Sequence, residues 1–163
     1  MPRIGITGHS NLSAATVALV AAGIRVALAP YAEDLTGVTC LARGADQVFA
    51  RVVLELGGTV EVVLPARDYR DRIATAANGA QHAAEFDELL TRANLVHTMP
   101  FARSGRDAYM AASEHMRATV GTLIAVWDGK PATGYGGTAD VVDAARQAGI
   151  AITVVWPHGA ERT

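Results

Sequence analysis

The chain is short of cysteine, of aromatic residues and of net charge, with one Cys, 6% Phe, Trp and Tyr, and a formal charge of −2. Cys40 alone can form neither an internal disulfide nor a Cys-x-x-Cys metal site, which fits a reducing, cytoplasmic setting. Few stacking side chains and no basic excess argue against nucleic acid as a partner, because a single-strand groove needs both. The opening Arg3-Ile4-Gly5-Ile6-Thr7-Gly8 lacks the basic-then-apolar order of a secretory leader. Residues 12–32 are apolar, but Gly23, Arg25 and Pro30 interrupt them, so no membrane span is expected. His82, His97, His115 and His158 have no metal-ligand spacing, and no Ser-His-Asp arrangement is suggested by order or turn chemistry. Neither a metal nor another resident cofactor is therefore expected.

What the chain does have is a 50% apolar composition spread over 163 residues, enough for one core. A single domain over 1–163 follows, with 157–163 as a short C-terminal tail. Short runs rich in β-branched residues occur at 4–7, 38–41, 59–64, 95–98, 122–127 and 150–156. Alanine-rich stretches with helical spacing lie between them, at 13–30, 45–56, 80–92, 107–119 and 138–148. Strands that read as continuous apolar runs are buried on both faces, so the alternation predicts a doubly wound parallel α/β sheet of about six strands.

Ligands of such sheets bind beyond the carboxyl ends of the strands, where the strand order reverses. The loops after the strands can be read together on that basis. Gly134-Tyr135-Gly136-Gly137-Thr138-Ala139-Asp140 follows the fifth strand and opens a helix, so it offers free N–H groups and a positive dipole end to an anion. Its plain alternative is a flexible connection. It satisfies Gly-x-Gly-x-x-Ala, yet it follows the fifth strand rather than the first and lacks the Gly-Lys-Ser/Thr ending of a Walker loop. Gly8 and His9 end the first strand, where a glycine allows close backbone approach to a ligand; an ordinary turn with Ser13 as helix cap is the alternative. Arg43-Gly44-Ala45-Asp46 could set Arg43 on a phosphate and Asp46 on a sugar hydroxyl, although Asp46 would also suit a first helical turn. Asp128 is a candidate ribose or base acceptor, against the alternative of an Asx turn before Gly129. Arg103 joins Arg43 among the carboxyl-edge cations, and one arginine of the 67–72 run is expected to face the cleft, although such a run is commonly a solvated loop.

Gly5-Ile6-Thr7-Gly8-His9, Leu41-Ala42-Arg43-Gly44-Ala45-Asp46, Tyr69-Arg70, Ala125-Val126-Trp127-Asp128-Gly129 and Gly136-Gly137-Thr138-Ala139-Asp140-Val141-Val142 resemble, in that order, the SLOG superfamily. This Rossmann-like group includes the Lonely Guy phosphoribohydrolases, the DNA-processing protein DprA and many predicted nucleotide sensors. The resemblance implies a ligand held between the first-strand turn, the Arg-Gly-Ala-Asp segment and the Gly-Gly-Thr loop. In Lonely Guy enzymes a glutamate three residues after the Gly-Thr pair assists cleavage of the N-glycosidic bond. Alignment on Gly137-Thr138 puts Val141 at that position, with Asp140 one residue early and turned by about 100°.

Three functions of different kinds follow. The first is binding of a nucleotide or nucleotide-derived phosphate ligand, in a sensor or carrier role. The second is Lonely Guy-like hydrolysis of a nucleoside 5′-monophosphate, with Asp140 or Asp128 replacing the glutamate and Arg43 or Arg103 steadying the phosphate. The third is DprA-like binding of single-stranded DNA. The apolar helices at 13–32 and 107–119 also offer a face for a homodimer, a state the sequence leaves open.

Overall fold

The computed structural model describes residues 2–131 and 137–163. Its strands are β1 (Arg3–Gly8), β2 (Thr36–Thr39), β3 (Thr59–Leu64), β4 (Leu95–Thr98), β5 (Thr122–Val126) and β6 (Ala151–Val154). Its helices are α1 (Ala14–Leu28), α2 (Ala45–Glu55), α3 (Tyr69–Thr75), α4 (Gly79–Thr91), α5 (Arg106–Thr119) and α6 (Thr138–Gln147), with a 3-10 turn at Ala29–Asp34. All six strands pair in parallel in the order β4-β3-β2-β1-β5-β6. The chain thus steps outward from β1 to β4 and returns on the other side of β1 to β5. The strand order reverses between β1 and β5, and this is where a ligand cleft forms in such sheets.

Side chains alternate across each strand and divide between two helical layers. Ile4 and Ile6 of β1, Val60 and Val62 of β3 and Ile124 and Val126 of β5 pack with Val20, Ile24 and Leu28 of α1, Phe49 and Val53 of α2 and Phe86 and Leu89 of α4. On the opposite face, Val38, Val63 and Leu123 meet Ala112 and Met116 of α5 and Ala145 of α6. Gly5 lets α5 approach: a Cβ there would stand 3.1 Å from Leu123 and 3.3 Å from Met116. The 14–34 stretch has a mean hydropathy of 1.6 and enough length to span a bilayer, but it folds as α1 and the 3-10 turn. Val20, Ile24 and Leu28, spaced one turn apart, lay one stripe of α1 on the sheet.

The doubly wound parallel sheet expected from the sequence is present. Two details differ from the expectation. β2 runs over Thr36–Thr39 rather than 38–41, because Leu41 adopts a left-handed φ of 56° that a strand cannot continue. The arginine-rich 67–72 stretch is largely the short helix α3, where Arg70 forms a two-pronged ion pair with Asp87 of α4, with both contacts at 2.7 Å.

Phe49 is fully buried and its ring lies 2.9 Å from where a Cβ on Gly37 would stand. Phe49→Ala is expected to lower unfolding free energy by about 3–5 kcal/mol in chemical denaturation. A loss below about 1 kcal/mol would contradict its role as the anchor between α2 and β2.

Candidate functional site at the β1 and β5 ends

His9 is the residue at which the carboxyl edge closes. Its N–H donates to the Val126 carbonyl of β5 at 3.1 Å, and its own carbonyl accepts the Ala45 N–H at the start of α2 at 3.2 Å. That approach needs two glycines. A Cβ on Gly8 would stand 2.5 Å from the Ala45 Cβ and 2.8 Å from the Val126 Cβ. A Cβ on Gly44, whose φ is 83°, would stand 2.7 Å from the His9 carbonyl oxygen and the Ser10 Cα. Gly8 and Gly44 therefore join β1, β5 and α2 at van der Waals distance.

The His9 ring is buried at 7% exposure and lies between Asp128 and Thr138. The Asp128 N–H donates to Nε2 at 3.1 Å, which requires a lone pair there and assigns the ring proton to Nδ1, 3.4 Å from the Thr138 hydroxyl. Burial, helped by the Arg162 charge, lowers the His9 pKa against the opposing pull of Asp128, so the ring is neutral at neutral pH. The 3.3 Å approach of Nε2 to Asp128 Oδ1 becomes an ion pair only on protonation. Trp156, just after β6, sets its ring edge-on to His9 at 5.6 Å.

Asp128 is the exposed-side carboxylate of this cluster, with its side chain 10% exposed. Burial alone would raise its pKa, but the Lys130 N–H at 3.0 Å and the Arg162 charge outweigh that and hold it below the usual carboxylate range. The Asx turn before Gly129 is thus present and coexists with contact to His9. Arg162 places Nη1 3.7 Å from the second Asp128 oxygen.

Gly137 is the extended N-cap of α6 and supplies no side-chain acceptor, and Gly44 stands likewise at the start of α2. Both helix N-termini therefore meet at His9 without a side-chain cap, and although the His9 carbonyl takes the Ala45 N–H of α2, the positive dipole ends of both helices face this place, which favours anions. Gly134 and Gly136 lie outside the described residues. Asp140, in the first turn of α6, lines a groove of ≈ 530 Å³ between α5 and α6 with Arg106, Tyr109 and Asp143. Thr138 faces His9 instead, so the fold puts Asp128, and not Asp140, beside the histidine.

Arg43 turns away from His9. Its guanidinium reaches the Ala77 carbonyl at 3.4 Å and lines a groove of ≈ 670 Å³ with Ser10, Asn11, Gln47 and His82. His82 has a lowered pKa, first from burial and then from the Arg43 charge. Arg103 is exposed in the loop after β4, which is tied to the loop after β3 through Asp68 and Ser104, both contacts at 2.6 Å. β4 stands three strands from β1, roughly 14 Å across the sheet. Asp46 is 8% exposed and folds back to accept the Ala42 N–H at 3.3 Å, so it pins its own loop. Burial pushes its carboxyl up to about 7.

Two residues of this edge carry no local sequence signal. Trp156 and Arg162 become neighbours of the site only because the segment after β6 folds back over the β1–α1 turn, where Arg162 meets Asn11.

No protein-family model matches the chain, and no curated protein sequence matches it. Solved structures do. DNA processing protein A of Streptococcus pneumoniae superposes over 98% of this chain and 52% of its own, with a TM-score of 0.66 and 15% identity. The Helicobacter pylori counterpart covers 99% and 68%, with a TM-score of 0.63 and 13% identity. The molybdenum cofactor binding protein of Rippkaea orientalis covers 94% and 75%, with a TM-score of 0.57 and 12% identity. This protein shares the Rossmann-like α/β fold of these structures. It spans about half the length of the S. pneumoniae protein.

The buried Asp46 gives a signed expectation. Its folded pKa lies near 7 and its unfolded one near 3.9, so between these values the folded chain holds the extra proton and stability falls as pH rises. Asp46→Asn removes this slope. Denaturation of both proteins should show the variant gaining on the wild type from pH 5 to pH 8; a constant difference would contradict a buried carboxyl of this kind.

Proposed function

We propose that the protein binds a nucleotide or nucleotide-derived phosphate ligand at the β1 and β5 ends, in a sensor or carrier role. The observation that carries this reading is the convergence on His9 of two glycine-capped helix N-termini and the Asp128 carboxylate. Main-chain N–H groups at helix starts suit a phosphate, while a carboxylate that stays ionised accepts a sugar or base hydroxyl. Donors at one place and an acceptor beside them match the two ends of one nucleotide. Molybdenum cofactor and single-stranded DNA are the ligands that two fold neighbours are named for, which supports a ligand-binding role for the fold without fixing the ligand.

Calorimetric titration with nucleoside mono-, di- and triphosphates is expected to give saturable binding. Asp128→Ala should weaken it at least tenfold, about 1.4 kcal/mol, in line with loss of a hydrogen bond to a charged group. Gly137→Glu, which adds a carboxylate at the α6 start, should weaken it further. No binding across the panel would contradict the reading. A tight, steeply salt-dependent shift of a labelled oligonucleotide would instead favour the DNA-binding alternative.

One observation favours a hydrolytic second reading: the Asp128 carboxylate stands 3.3 Å from the unprotonated Nε2 of His9, so a proton taken up by either is held between the two. On this reading Asp128, rather than Asp140, stands in for the glutamate that Val141 replaces. Release of free base from nucleoside 5′-monophosphates, lost in Asp128→Asn, is the expected outcome. Release no faster than without protein would overturn it.

A further inference from the structure

We propose that Arg162 is the phosphate-recognising residue of this site, carried there by the segment that follows β6. The inference rests on the nucleotide-binding reading and names the group that takes the ligand's anionic end.

The polar side chains at the centre of the cluster do not attract an anion by themselves. His9 is neutral and Asp128 is a carboxylate, so an arriving phosphate meets like charge unless a cation is fixed beside it. Arg43 does not serve this end of the cleft, since it faces the Ala77 carbonyl and the other groove. Arg162 does, and the chain around it is firmly placed. After β6, Val155 still donates to Ala125 of β5 at 2.8 Å and Trp156 packs on His9. The Glu161 N–H then donates to the Thr16 hydroxyl at 2.8 Å. Arg162 itself bridges Leu12 in antiparallel fashion. Thr163 donates to the Asn11 carbonyl at 2.8 Å and accepts from the Asn11 side chain at 2.9 Å. The backbone of Arg162 is thus bonded on both flanks.

Its side chain is oriented as well. Nε donates to the Asn11 side-chain oxygen at 2.9 Å, which fixes the plane of the guanidinium. Nη1 then stands 3.7 Å from Asp128, within ion-pair range but beyond a hydrogen bond, while 39% of the side chain is open to solvent. A fork held at one nitrogen, with its terminal pair loosely engaged, is prepared for a two-point contact to phosphate that the point charge of lysine cannot copy. A ligand that gives Asp128 a hydroxyl and Arg162 a phosphate exchanges that loose pair for short charge-assisted bonds. The chemical class is a phosphorylated sugar, of which a nucleoside 5′-monophosphate is the simplest form.

Trp156, edge-on to His9, gives the experiment a direct signal, and Trp127 directly precedes Asp128 in the chain. The intact chain, Arg162→Ala and Arg162→Lys are titrated with adenosine and guanosine 5′-monophosphates and with the free nucleosides, by fluorescence and calorimetry, after thermal melting has shown each variant folded. Arg162→Ala is expected to weaken the monophosphates at least tenfold, to leave the nucleosides within twofold and to flatten the salt dependence. Arg162→Lys should fall between. Unchanged monophosphate affinity in Arg162→Ala overturns the assignment, as does an equal loss for monophosphate and nucleoside, which would mark a structural role. Wild-type protein that binds neither set refutes the nucleotide reading itself, a different failure from the first two.

Discussion

The close approach of β1, β5 and the start of α2 at His9 is the constraint on which the rest of the site depends. Main-chain bonds hold His9 from both sides, to Val126 and from Ala45, and glycine at positions 8 and 44 is what lets the three segments come within reach. With the backbone so fixed, the ring has one place to go, between Asp128 and Thr138. The α6 start and the turn after β5 are then gathered against it. A larger residue at either glycine would push β1 from α2 and dissolve the cluster at its root.

The charge arrangement follows from the same packing. Burial keeps the imidazole neutral, and the Lys130 N–H and the Arg162 guanidinium keep the neighbouring carboxylate ionised. Acceptors and donors of opposite character are thereby held side by side at the strand-order reversal, without a metal cluster among the described residues. The proposed ligand, with both a hydroxyl and an anionic end, would meet both of these surfaces.

The fold was legible in the sequence because the four inner strands are largely buried and leave apolar runs, while the edge strands β4 and β6, though mostly exposed, keep short apolar or β-branched runs of their own; all six appear close to where those runs lie. Leu41 was read as strand since its side chain is apolar; its positive φ depends on the turn toward Gly44 and is invisible in composition. α3 was missed because a charge run hides a seven-residue helix whose Arg70 is satisfied by Asp87 from another element. In the site, Gly8, His9, Gly44, Asp128 and Thr138 were readable from position alone, as the topology sends strand ends to one edge. Directions of side chains were not: Arg43 and Asp140 lie in the expected segments yet face separate grooves. Arg162 was out of reach, since its contact with Asn11 joins residues 151 positions apart.

The central claim is that ligand binds where β1 and β5 part, against His9. Mapping amide chemical shifts during titration with a nucleoside 5′-monophosphate tests it most directly. The account predicts that the perturbed amides cluster at His9, Ser10, Ala45, Asp128, Thr138 and Arg162. Perturbations confined to the α5 and α6 groove, at Tyr109, Asp143 and Gln147, would contradict it.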